Sequence, residues 1–269
     1  MTIDAVRPPS ASWAILPALG VAAAAVLLFG FEQKLAGYLV LAASVGIAFA
    51  AGRELGKDLL LIGVGMSIVG AVSVEANIDW WNIVLLGVVL SASVAVPFAI
   101  DRFVYRHRTI AFPVPRTPWT TLERAWLIGA VVAAYLILPV YFIRSGVYQN
   151  WPAVHEWHEL LRLFVGVNAV GIWDELFFIC VIFSLLRRHF PDWQAILLQA
   201  VIFVSFLWEL GYRSWGPAIT IPFAIMQAFI FTRTKSLPYV ICVHLLFDFL
   251  VFLSIVHAHN REWLRIFLY

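Results

Sequence analysis

Charge is what this chain most lacks. Only 13% of its 269 residues are Asp, Glu, Lys or Arg, against roughly 25% in an average soluble domain. A water-soluble globule is excluded, because 62% of the residues are hydrophobic and the mean hydropathy is +0.90. Cysteine is scarce too. Cys180 and Cys242 both fall inside apolar runs without metal-ligand spacing, which argues against a disulfide framework and for buried free thiols. A net charge of +2 is too small to suggest nucleic acid as a partner. There is no internal repeat, no low-complexity tract and no glycine-rich nucleotide loop. The polar stretch Met1 to Ser12 leads into an apolar run with no obvious cleavage site behind it. That run is expected to be a retained helix, not a signal peptide.

What the chain does have is a succession of apolar stretches about twenty residues long, the length at which a helix crosses a bilayer. They fall at 13–31, 36–52, 58–75, 81–100, 125–143, 160–186, 193–211, 215–232 and 237–257. The expected fold class is therefore all-α, a polytopic transmembrane helical bundle of about eight or nine spans, the second and eighth being short. Loop charge supplies an orientation, since cytoplasmic loops are enriched in Lys and Arg. Arg7, Arg53, Lys57, the group Arg102, Arg106, Arg108, Arg116 and Arg124, then Arg187, Arg188, Arg233 and Lys235 all fall in alternate loops. One phase fits them, with a cytoplasmic N-terminus in what is expected to be a bacterial plasma membrane. The basic tail, with Arg261 and Arg265, runs against that phase.

Composition divides the chain into an Ala-, Gly-, Val- and Leu-rich region, 1–100, a basic linker, 101–124, and a region 125–269 that collects the polar residues at depth. Pro113, Pro115 and Pro118 interrupt the linker. Gly63, Gly65 and Gly70 suit close helix approach in the first region. In the last region Asp174 and Glu175 stand side by side within an apolar run. A carboxylate at bilayer depth costs roughly 2.5–3.5 kcal/mol, so such groups usually face a protein interior or a wet cavity and act there. Their side chains leave the helix about 100° apart, unable to point the same way but able to border one cavity. Neighbouring carboxylates in a medium of low dielectric resist ionising together, which suits general acid–base work. His244 and Asp248, four residues apart, share a helix face, where the carboxylate can orient the imidazole or join it in holding a water or a metal. A plain interhelical hydrogen bond is the bland alternative for both pairs.

Other polar residues read less sharply. Asn168 lies nearly on the face of Glu175 and is placed to donate to it. Glu209 is as well explained by an ion pair with Arg213, one turn on, as by a role in the site. Gln199 and Gln227 read as interhelical glue. His155, His158, His257 and His259 read as interfacial, and Trp80, Trp81, Trp119, Trp151 and Trp157 as aromatic belts.

Taken together, these residues resemble the CPBP family, the CAAX-protease and bacteriocin-processing intramembrane endopeptidases. Its pattern is Glu-Glu-x-x-x-Arg, then Phe-x-x-x-His, then His-x-x-x-Asn or Asp. Asp174-Glu175 matches the acidic pair with Asp in first place, Phe203 opens the second motif, and His244 to Asp248 matches the third in full. The family arginine falls on Ile179 and the second-motif histidine on Leu207. The resemblance spans roughly 125–257 and leaves the first four spans unexplained.

It implies an intramembrane endopeptidase acting on a membrane-protein or peptide substrate in or near the bilayer. In the family, the first acidic residue and the second-motif histidine are held to activate the water, and the last pair stabilises the oxyanion or helps bind a metal. Here Asp174 or Glu175 would be the general base, with His244 holding the water and Asp248 orienting the imidazole. A divalent ion, zinc first and manganese or iron as alternatives, would take Glu175, His244, Asp248 and Glu209 as ligands. The changes at Ile179 and Leu207 favour a competing class, an inactive scaffold whose polar pocket holds a partner helix, lipid or peptide. A proton-coupled transporter is less favoured, because the chain lacks paired Gly/Pro-broken helices in two equivalent halves.

Overall fold

The structure, a computed structural model, describes residues 13–268. The expectations resting on Arg7 and the polar N-terminal stretch lie outside the described residues. Among these the chain forms nine helices and no strand: α1 (Ile15–Gly30), α2 (Lys34–Ala51), α3 (Arg53–Gly70), α4 (Trp80–Val104), α5 (Thr121–Arg144), α6 (Trp157–Leu186), α7 (Asp192–Leu210), α8 (Pro217–Thr234) and α9 (Leu237–His259). Six of them, α2, α4, α5, α6, α7 and α9, are long and apolar enough to cross a bilayer. α1 is apolar but shorter, and α3 carries Arg53, Glu54, Lys57 and Asp58 in its first turns. The protein is an integral membrane helical bundle.

Local chemistry sets the helix ends. Thr120 and Glu123 form a capping box at the start of α5, and Glu156 pairs with Glu159 in the same way before α6. Ser236 accepts the Tyr239 N–H at the start of α9, and Pro217 opens α8, where no N–H is needed. Pro97 and Pro139 lie inside α4 and α5, and both helices finish in π-helical turns, Ile100–Val104 and Val140–Arg144. A proline deletes one i→i−4 bond and crowds the preceding turn, which suits such widening.

α6 is the central rod. Its most apolar window is 72% buried, against 22% in α4 and 33% in α5, which stand at the periphery. The compositional division of the chain does not divide the core: one buried cluster joins α1–α4 to α6–α9, from Leu28 and Leu61 through Phe177 and Phe206 to Val243. A second cluster packs α5, the turn Val147–Asn150 and the C-terminal part of α9. Loops of like phase meet at each end. At the base-rich end Arg188 bonds Asp58, and the Leu237 N–H donates to Pro113 O across the linker. At the other, Arg213 pairs with Glu32 and Arg162 donates to Ile78 O. The tail folds back onto that second end, where Tyr135 donates to Ile266 O.

Candidate active site

The site forms where α6 changes its winding. Asp174 closes the α-helical part, and Glu175–Phe183 continues as a nine-residue π-helix. π segments commonly mark functional positions, because they re-aim side chains relative to the flanking turns. Here the two adjacent carboxylates reach opposite nitrogens of one imidazole. Glu175 Oε1 is 2.7 Å from His244 Nδ1, while Asp174 Oδ2 lies 3.6 Å from Nε2. Asp248 Oδ1, one turn further along α9, is 3.8 Å from the same Nε2. All four side chains are buried.

Each group has support. Gln227 of α8 donates to Glu175 Oε1 at 2.7 Å and to Val240 O at 3.1 Å, tying the carboxylate to both α8 and α9. The His244 ring meets Phe223 edge-on, with centroids 5.0 Å apart. Trp173, beside the acidic pair, donates from Nε1 to Ser93 Oγ at 3.0 Å and stacks on Phe177. α4 thereby buttresses the site. Gly171 leaves room for the carboxylate opposite: a Cβ there would collide with Asp248 Oδ2 and lie 3.2 Å from His244 Cδ2.

A cavity of about 920 Å³ opens beside this cluster. Asp174, His244 and Asp248 stand in its otherwise mostly apolar wall, together with Leu207 of α7, Phe223 of α8 and residues of α4, α5 and α6. Glu175 is not in that wall. The arrangement is asymmetric: a hydrogen-bonded carboxylate fixes Nδ1 from behind, and Nε2 faces two carboxylates at the cavity. Separations of 3.6 and 3.8 Å exceed a direct hydrogen bond, so Nε2 makes none with either carboxylate. Asp174 Oδ1, Glu175 Oε2 and Asp248 Oδ2 have no partner among the described residues, which leaves acceptor capacity in the cluster.

Several sequence expectations are corrected by this geometry. The imidazole is oriented by Glu175, not Asp248, because the short bond is at Nδ1 while Asp248 lies on the Nε2 side. Glu209 stands apart from the cluster. It pairs with Lys34 at 3.2 Å, not with Arg213, and borders a separate small cavity with Glu75 and Asn150. Asn168 donates to Phe164 O within its own helix instead of to Glu175. His257 is buried against the protein in the last turn of α9. Ile179 is buried in the core and Leu207 forms cavity wall.

The four residues expected to hold a metal do not surround one point. Glu175 is committed to the far nitrogen of His244, Glu209 is bonded to Lys34, and among the described residues no three His, Cys, Asp or Glu side chains are spaced as a ligand set. The donors as arranged do not fit the expected ion. Gln227, which the sequence suggested as interhelical glue, and Gly171, which carried no assignment, both belong to the site; the glycine three residues before Asp174 is the one sequence signal for the close approach.

No curated protein and no solved structure matches the chain. A family model does match, and the matched segment holds Gly171, Asp174, Glu175, Gln227, His244 and Asp248. Residues 156–250 match the Rce1-like family, described as type II CAAX prenyl endopeptidase, in agreement with the CPBP resemblance of the motifs.

Proposed function

We propose that this chain is an intramembrane endopeptidase of the CPBP type, hydrolysing a peptide bond presented in the cavity beside His244. The observation that carries the reading is the convergence of Asp174, Glu175, His244 and Asp248 on one imidazole at a cavity wall. Glue between helices needs one satisfied pair, not three carboxylates around a histidine. The matched family's name points to a peptide with a prenylated cysteine near its C-terminus, and a mostly apolar cavity of about 920 Å³ suits such a chain.

The mechanism follows the asymmetry. Glu175 accepts the Nδ1–H of His244 and, itself held by Gln227, fixes the tautomer in which Nε2 carries the lone pair. A water between Nε2, Asp174 and Asp248 gives its proton to Nε2 as its oxygen attacks the scissile carbonyl. The carbonyl pair moves to oxygen. When it returns, the C–N bond breaks and the imidazolium passes its proton to the leaving amine. No step passes through a metal.

Leu207 in the cavity wall favours a second reading, an inactive relative that retains the pocket for a partner peptide. One experiment separates the two. A quenched fluorescent peptide ending in a farnesylated Cys-aliphatic-aliphatic-X sequence is incubated with protein in nanodiscs, with and without chelator. Wild type should cleave it in either condition, and His244→Ala should lose on the order of 10²–10⁴-fold in rate. Equal rates for the two proteins, or no cleavage by wild type, would overturn the peptidase reading.

A further inference from the structure

The end of α7 places one hydroxyl that the mechanism above does not use. α7 stops at Gly211, whose φ of 126° lies in a region open chiefly to glycine. The chain turns back so that the Tyr212 N–H donates to Leu207 O at 2.9 Å. The turn is pinned from outside by Asn150, which donates to Gly211 O at 2.8 Å. Tyr212 is thus anchored to the backbone of the residue that replaces the family histidine.

Its ring is caged. Tyr212 meets Trp151 edge-on at 5.2 Å and Phe142 edge-on at 5.7 Å, and lies parallel to Tyr141 at 6.4 Å. Its hydroxyl differs from that of Tyr141, which donates to Arg213 O. The Tyr212 hydroxyl has no hydrogen-bond partner among the described residues, and the residue lines the same cavity as Asp174, His244 and Asp248. Burial first, then the Asp248 carboxylate, with Tyr141 and Asp174 after it, holds this phenol well above its usual range. It therefore stays protonated, a donor within electrostatic reach of both cavity-facing carboxylates.

We propose that Tyr212 is a catalytic residue of this site, its O–H donating to the carbonyl oxygen of the scissile bond as negative charge develops there. The proposal rests on the peptidase reading and supplies the oxyanion donor that three carboxylates and an imidazole acting as base leave unfilled. The balance is simple. Water's oxygen bonds the carbonyl carbon, the π pair moves to oxygen, and Tyr212 stabilises that oxyanion by a hydrogen bond without losing its proton. Collapse of the oxyanion expels the amine, which takes its proton from His244. A rigid aromatic cage suits the role, because a donor fixed in advance spends no free energy on reorganisation in the transition state.

The test is Tyr212→Phe, which removes only the hydroxyl and keeps the ring contacts, assayed with the farnesylated quenched peptide in nanodiscs beside wild type and His244→Ala. The expected result is a fall in kcat of about 10²–10³-fold, with KM and the thermal midpoint little changed. Incorporation of 3,5-difluorotyrosine at 212 should restore the neutral-pH rate and move the alkaline limb of the pH profile downward, following the more acidic phenol. A Tyr212→Phe rate equal to wild type while His244→Ala is inactive would overturn the role of Tyr212 alone. A loss that tracks a falling thermal midpoint, without the alkaline shift, would reduce Tyr212 to packing and also overturn it. Full activity of His244→Ala, or no cleavage by wild type, would overturn the underlying reading and this proposal with it.

Discussion

Substituting Gly171 by alanine should separate a built site from a chance meeting of polar side chains. The added methyl would collide with Asp248 Oδ2, lie 2.9 Å from Asp248 Cγ and come within 3.2 Å of His244 Cδ2. Either α6 and α9 part or the Asp248 carboxylate swings away. Overpacking of this kind costs typically about 1–3 kcal/mol. Alanine returns up to about 1 kcal/mol of helix propensity. Gly46→Ala in α2 is the control, because a Cβ there meets nothing within 4 Å and only the propensity gain remains. In thermal unfolding in detergent, Gly171→Ala should fall below Gly46→Ala by the clash, about 1–3 kcal/mol. If Asp248 swings instead, the stability loss shrinks, but displacing a reacting group by about 1 Å costs on the order of 10²-fold in rate. A double-mutant cycle makes the stability arm independent of any substrate. In an Asp248→Ala background the principal obstacle is gone, so most of the Gly171→Ala cost should disappear. A Gly171→Ala protein as stable and as active as Gly46→Ala, with no coupling to Asp248, would refute the close packing on which the site geometry depends.

Two further perturbations test the supports. Gln227→Leu removes the donor to Glu175 Oε1, a charge-assisted bond worth about 1.5–3 kcal/mol, and should slow peptide cleavage by roughly 10–100-fold without abolishing it; an unchanged rate would detach Gln227 from the site. Asp58→Ala should destabilise the fold by about 3 kcal/mol in detergent unfolding, because Asp58 is 1% exposed and accepts from Arg188 at 2.9 and 2.7 Å while meeting His189 at 2.7 Å. A stability within a few tenths of a kcal/mol of wild type would show that Arg188 finds another partner, with Glu54, 3.7 Å from its Nη2, the first to examine.

Fold class was legible because hydrophobic length is a one-dimensional property. Twenty apolar residues can do little in a bilayer except form a helix, since every backbone polar group must be paired within the segment. The alternation of basic loops was legible for the same reason, and like-phase loops do meet, as in the pairing of Arg188 with Asp58 and of Arg213 with Glu32. What composition obscured was that α1–α4 share a core with the rest. Their apolar faces look alike whether they meet lipid or protein, and only the packing of Ser93 against Trp173 and of Leu61 into the common cluster decides it.

The four polar residues at depth were legible individually because each is expensive in hydrocarbon; their division of labour was not. Uniform α-helical spacing sets Asp174 and Glu175 about 100° apart but does not say which nitrogen of His244 each meets; the fold puts one carboxylate behind the ring and one at the cavity, where the π-helix begins. A run of apolar residues such as Leu176 to Phe183 carries no periodic polar marker from which wider winding could be read. Partner choice is also non-local. Glu209 has Arg213 one turn away, yet bonds Lys34, because only the fold brings the start of α2 to the end of α7. The same holds for Tyr212. In sequence it is one aromatic among many, just past a glycine. Its significance comes from a turn that ties it to Leu207 O, a cage of three rings, and a hydroxyl without a partner among the described residues, at the cavity that holds Asp174, His244 and Asp248. Leu207 and Tyr212 are joined by one backbone hydrogen bond and both line the cavity, so the Tyr212→Phe measurement also tests whether this wall does chemistry or only packs.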